Sequence, residues 1–116
     1  MIGIDLIKTS RMQHFMEKFE HKALSRFLSD EEIELVSNYK TASGFWAAKE
    51  ALSKALGVGI GKECSFQDIK IIKTQKGAPK IELSQRLINN FNISDTSLSI
   101  THDGDYAIAV VAIETN

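Results

Sequence analysis

The stretch FWAAKEALSKALG, residues 45–57, sets Lys49, Glu50 and Lys54 among Ala, Leu and two aromatic residues. Glu50 and Lys54 stand four residues apart, the spacing of a helical surface ion pair worth about 0.3–0.5 kcal/mol. The same two groups could also handle a phosphate, Lys54 as a mobile point charge with three donors and Glu50 as an oxygen ligand for a hard cation. Asp5 adds to this reading. It stands inside IGIDLI, a run that is otherwise apolar on both faces. A carboxylate in that position must be paired, hydrogen-bonded or bound to a cation. Two carboxylates, one from a strand and one from a helix, with a lysine nearby suit a Mg²⁺ that also binds a ligand's phosphates. Spacing leaves open whether Asp5 and Glu50 meet.

The elements that must position them are legible as patterns. With Phe45 at zero and about 100° per residue, Leu52 and Leu56 fall within about 20° of it, flanked by Ala48 and Ala55. That is the core stripe. Lys49 sits at its edge, where its stem can lie on apolar surface while the ammonium reaches out. Glu50 and Lys54 lie on the far side beside Trp46. Ala47 and Ala51 neighbour them, so another segment could approach the backbone there. The helix is expected to begin near Thr41 or Ser43, and Gly57 stands where a C′ glycine would.

Residues 2–7 read as a buried strand. Met12, Phe15, Met16 and Phe19 form one helical stripe, with Thr9 or Ser10 as its N-cap. SDEE at 29–32 has the form of a capping box, which accounts for that acidic cluster without a metal, and it starts a helix through Ile33, Leu35 and Val36. GVGIGKECSFQ is a glycine-rich loop, but its glycine spacing and Glu63 do not make a P-loop. DIKIIKT and PKIEL read as strands joined through QKGA, SQRLINNF as a short helix, and SLSITH and YAIAVVAI as strands around an Asp103-Gly104 turn. This order favours an α+β fold with an antiparallel sheet packed with helices, in a single domain spanning residues 1–116, over a doubly wound parallel sheet.

Bulk properties narrow the class. With 43% hydrophobic and 25% charged residues and a net charge of −1, nothing pulls the whole chain toward nucleic acid or a membrane. The lone Cys64 excludes an internal disulfide and reads as a loop or core thiol. No apolar run approaches the roughly 18 residues of a membrane span, and MIGIDLIK is no signal peptide. A soluble, cytoplasmic protein is expected. One local patch stands out. Residues 8–26 carry five basic against two acidic side chains, a net of +3. Arg11, His14 and Lys18 avoid the apolar stripe and should be exposed.

GIDLIKTSR, FWAAKEALSKALGVGIG and LSITHDGDYAIAVV, in that order and spacing, resemble the holo-acyl-carrier-protein synthases. These are the small bacterial branch of the 4′-phosphopantetheinyl transferase superfamily, and the likeness covers nearly the whole chain. The resemblance implies Mg²⁺-dependent transfer of the phosphopantetheine arm of coenzyme A to a serine of apo acyl carrier protein in fatty-acid synthesis, releasing 3′,5′-ADP. It assigns Asp5 and Glu50 to the Mg²⁺ and Lys54 to the pyrophosphate. His102, with Thr101, Lys49, Gly77 and Pro79, is assigned to the coenzyme A site. Arg11, with His14 and Lys18, falls to docking of the acidic carrier protein. It also implies a homotrimer with active sites at subunit interfaces, so Asp5, Glu50 and His102 need not share a chain. The base that takes the serine proton is left open.

Two departures matter. Phe45 stands where the family usually has an Arg, and the usual G-K-P is here Gly77-Ala78-Pro79 with Lys76 and Lys80 on either side. Either lysine could replace the missing charge. A rival from another class is a non-catalytic binding module that uses the basic segment 8–26; it gives no reason for Asp5. A transferase serving large peptide or polyketide synthases fits less well, since those relatives are about twice this length.

Overall fold

The computed structural model describes all 116 residues. The chain opens with β1 (Ile2–Lys8), α1 (Thr9–Phe19), α2 (His21–Ser25), α3 (Asp30–Glu34) and the long α4 (Tyr39–Ala55). A loop and a 3₁₀ turn (Phe66–Asp68) lead to β2 (Ile69–Lys73), β3 (Pro79–Leu83), α5 (Gln85–Phe91), β4 (Ile93–Asp103) and β5 (Tyr106–Thr115). All strand pairs are antiparallel, in a three-stranded sheet of order β1-β5-β4 and a separate β2-β3 hairpin. The α+β reading of the sequence holds.

α4 lies on one face of the three-stranded sheet. Alternation along the strands turns Ile7, Ala107, Ala109, Val111 and Ile113 inward, where they are buried with Phe45, Ala48, Leu52 and Leu56 of α4. The approach is closest at Gly3. A Cβ there would lie 2.6 Å from the Ala55 nitrogen and closer still to the Ala51 carbonyl oxygen. The segment that the small residues of α4 admit is therefore β1 itself.

Only one face of β1 is covered. Ile2, Ile4 and Leu6 project from the other face and are exposed, as are Tyr106 and Val110 of β5, so the expectation of burial on both faces is corrected. The sheet carries helix on one side alone, and β1 is its edge strand.

The helix starts also shift. α1 is capped at Lys8 without a side-chain bond, because the Thr9 N–H and hydroxyl both donate to the Asp105 carbonyl, at 2.7 and 3.2 Å. Thr9 thereby ties α1 to the β4–β5 turn. α4 begins at Tyr39, since Asn38 Oδ1 accepts from the Lys40 and Thr41 N–H groups; Ser43 bonds back to the Tyr39 carbonyl inside the helix. The capping box forms as expected between Ser29 and Glu32, although α3 ends before Leu35 and Val36. Gly57, at φ +79°, terminates α4 as a C′ glycine.

Candidate functional site

Asp5 and Glu50 lie near enough for the charge of one to act on the other. Asp5 points to the inner face of β1, and Lys54, one turn beyond Glu50, reaches it: Lys54 Nζ donates to Asp5 Oδ1 at 2.8 Å and lies 3.4 Å from the Ile4 carbonyl oxygen. The surface pair expected between Glu50 and Lys54 is thus replaced by an interelement pair to Asp5. Bonding to Asp5 holds the Lys54 ammonium above its ordinary pKa, with Glu50 contributing. Burial and the negative charge of Asp5 push Glu50 up, against the pull of Lys54. Two crowded carboxylates, one of them reluctant to ionise, form a place where added positive charge is favourable.

Lys49 corrects its expectation. It is 1% exposed and reaches inward: Nζ donates to the Phe27 carbonyl at 2.8 Å, Glu32 Oε1 at 2.9 Å and the Phe66 carbonyl at 3.2 Å. Burial pushes its pKa down, opposed by Glu32. All three ammonium hydrogens are taken inside the protein, so Lys49 has none left for a cofactor. The core stripe is wider than the wheel implied, and the segment facing it supplies a carboxylate.

A second constellation gathers at the other end of α4. His102, Gly77 and Pro79, read separately from the sequence, line one groove of about 200 Å³ together with Thr41, Gly44, Phe45, Lys73 and Ile100. His102 Nε2 lies 2.9 Å from the Lys40 carbonyl oxygen. A carbonyl only accepts, so Nε2 carries the hydrogen and Nδ1 is left for a ligand. Gly44 allows this closeness, since a Cβ there would sit 3.0 Å from Ile100 and 3.3 Å from His102. Phe45 is buried, as its place in the stripe required. Thr101 is not brought in. It pairs with Ile108 and faces the outer side of the sheet, the face opposite His102.

The basic side chain of this groove is Lys73, where the sequence suggested Lys76 or Lys80. The hairpin register, which pairs Lys73 with Pro79, is the signal that could have found it. Glu32 was also missed as more than a cap, and no sequence pattern marks its burial. Gly44 and Glu50 are six helical residues apart, so the groove and the carboxylate cluster are offset by about 9 Å along α4. On α1, Arg11, His14 and Lys18 are exposed as expected. Beside Arg11 runs an apolar groove lined by Ile7, Met12, Phe15 and Trp46.

Oxygen donors and an ammonium at a strand–helix junction, with no activated nucleophile among them, have the chemistry of a protein that grips phosphates. The chain belongs to the 4′-phosphopantetheinyl transferase superfamily, whose family model matches residues 1–111. It is 67% identical over 115 residues to the holo-[acyl-carrier-protein] synthase of Sulfurimonas denitrificans, covering 99% of this chain and 95% of that one. The crystal structure of the Helicobacter pylori holo-[acyl-carrier-protein] synthase in complex with coenzyme A superposes with a TM-score of 0.95 at 50% identity, covering 98% of this chain and 100% of that one. A Bacillus anthracis synthase in complex with coenzyme A (3′,5′-ADP) gives a TM-score of 0.82 at 34% identity, covering 99% and 96%.

Proposed function

We propose that this chain transfers the 4′-phosphopantetheine arm of coenzyme A to a serine of apo acyl carrier protein, releasing 3′,5′-ADP, in the cytoplasmic synthesis of fatty acids. The observation that carries the reading is the Lys54–Asp5 ion pair at the junction of β1 and α4, within electrostatic reach of Glu50. The serine oxygen bonds to the phosphorus that bears the pantetheine arm, and the bond from that phosphorus to the oxygen of 3′,5′-ADP breaks. Such a transfer leaves the protein mainly to position the reactants and stabilise charge. Lys54, half exposed, can turn its ammonium to a pyrophosphate oxygen. His102 offers Nδ1, and Lys73 a positive charge, to the phosphates and adenosine of coenzyme A.

The donor set fits Mg²⁺. Both donors are carboxylates, burial and Asp5 load Glu50 with charge strain that a cation relieves, and no third acidic, His or Cys side chain joins them. Mg²⁺ takes one or two carboxylates and completes its shell with water and substrate phosphates. Bound by Asp5 and Glu50, it would neutralise the charge that develops on the phosphates.

A homotrimer with sites shared between copies is part of this reading. The uncovered sheet face presents Ile2, Ile4, Leu6, Tyr106 and Val110, an apolar patch that further copies of the chain would cover. Arg11, His14 and Lys18 suit an acidic carrier protein. No helix is long and apolar enough to cross a membrane. Incubation with apo acyl carrier protein, coenzyme A and Mg²⁺, with and without EDTA, is read by the mass of the carrier. A gain of one phosphopantetheine that EDTA abolishes supports the reading; no gain on a competent carrier overturns it.

A further inference from the structure

The Glu32–Lys49 pair lies outside the chemistry just described, and its wiring is extensive. Lys49 is 1% and Glu32 2% exposed. Besides Lys49, Glu32 Oε1 accepts the Ser29 N–H at 2.9 Å and Oε2 accepts the Ile71 N–H at 2.9 Å. With the Phe27 and Phe66 carbonyls on Lys49, one ion pair joins α4 to the segment after α2, the cap of α3, the 3₁₀ turn and β2. A buried pair is a poor route to stability, because well-packed apolar residues do as well or better in its place. What it supplies is direction.

Lys49 is the residue before Glu50. Around the helix, Lys49 and Ala51 point about 200° apart, and the Ala51 side is pressed against Gly3. α4 is therefore held on opposite flanks, by Glu32 on one and by β1 on the other. Glu50 projects midway between them. Side-chain tips on a helix stand about 5–6 Å from its axis, so a 20° rotation would carry the Glu50 carboxylate about 2 Å. Mg²⁺ tolerates far less, since it demands near-ideal geometry at about 2.0–2.1 Å.

We propose that Glu32 and Lys49 are a positioning pair, which sets the rotation of α4 and so the placement of Glu50 and Lys54 against Asp5. This rests on the divalent-cation reading above. Its test uses Lys49→Met and the double variant Glu32→Gln/Lys49→Met, which leaves no unpaired buried charge and so retains the fold. The control is Arg86→Met, which removes an ion pair to Asp68 in the same 3₁₀ turn but leaves Glu32 and Lys49 and their bonds in place. Mn²⁺ is titrated into metal-free protein and free Mn²⁺ is followed by electron paramagnetic resonance, alongside kcat and KM for coenzyme A.

Both variants are expected to bind Mn²⁺ about tenfold or more weakly and to lose kcat, with KM for coenzyme A changed less. Arg86→Met should stay within about twofold of the parent in Mn²⁺ affinity whatever its loss of thermal stability. A folded double variant with parental Mn²⁺ affinity overturns the proposal alone. A parent protein that binds no Mn²⁺ and turns over without a divalent cation overturns the cation reading, and the proposal with it.

Discussion

Lys54 Nζ holds Asp5 Oδ1 at 2.8 Å, while Glu50, one helical turn before Lys54, is left to bear the charge of Asp5 without a bonded cation of its own. The three residues act as a unit whose balance a substitution upsets in a definite direction. Glu50→Gln is expected to lower turnover by roughly 10²-fold or more while fold and assembly persist. It should not destabilise the protein in EDTA. Because the folded pKa of Glu50 lies above its ordinary value, the folded state binds the extra proton, and stability falls as pH rises through that window. A neutral glutamine removes this loss. Melting temperatures of parent and variant in EDTA between pH 4 and 8 measure it: the parent should fall behind the variant as pH rises through the carboxylate range. Near-parental turnover would remove Glu50 from the site.

Gly3 is where β1 and α4 come closest, and no side chain can enter there without backbone movement. Overpacking against backbone is expected to cost about 3 kcal/mol or more. Against a total stability on the order of 5–15 kcal/mol, Gly3→Ala should yield little folded protein, and what folds should carry a displaced Asp5 and weakened turnover. Soluble yield and urea unfolding test it. A variant as stable as the parent would mean that the strand can retreat from α4.

Asp68 anchors the loop after α4. Arg86 bonds both its carboxylate oxygens, the Ser84 hydroxyl and the Ser65 N–H and hydroxyl add to them, and together they hold it well below the usual carboxylate range. A depressed pKa contributes stability that is present above the unfolded carboxylate's pKa and is lost as pH falls below it. Arg86→Met should therefore lower stability measurably at pH 7. The gap between parent and variant should narrow as pH drops toward 3. Urea unfolding at pH 7, 5 and 3.5 measures it, and a gap independent of pH would assign the loss to packing instead.

Much of this was legible in the sequence because the patterns are local. The capping box at Ser29, the C′ Gly57 and the Asp103-Gly104 turn each depend on a few adjacent residues, and each formed. Asp5 was legible as an anomaly, a charge in an apolar strand that had to find a partner. What escaped was tertiary. Nothing near Lys49 in sequence announces Glu32, seventeen residues away and itself buried. Nor does the alternation of β1 reveal that one of its faces stays bare, because IGIDLI reads as apolar whichever way it points. His102 and Thr101 are neighbours in sequence, yet the pleat sends them to opposite faces.

The exposed face of α1 is expected to govern the carrier protein without touching the chemistry. Reversing Arg11 and Lys18 to Glu should raise KM for apo acyl carrier protein about tenfold or more and leave KM for coenzyme A within about twofold. The parent's KM for the carrier should also rise with salt, and the variant's much less so, since screening acts on these exposed charges. A KM for the carrier that is indifferent to both changes would move the docking face elsewhere.

The bare sheet face and the proposed sharing of sites between copies make one joint prediction. Leu6→Arg places a charge on an exposed apolar position outside the core, so the fold should survive while the mass in solution falls to that of one chain and turnover is lost. The decisive form uses complementation. Asp5→Asn and His102→Ala should each be inactive alone, one lacking the carboxylate cluster and the other the groove. If each site takes Asp5 from one copy and His102 from the next, co-expressed variants assemble at random and regenerate about a quarter of the sites intact. Turnover of the purified mixture should then rise to about a quarter of the parent's, while the two proteins mixed after folding, without exchange, stay inactive. Sites contained within single chains would give no recovery under either protocol.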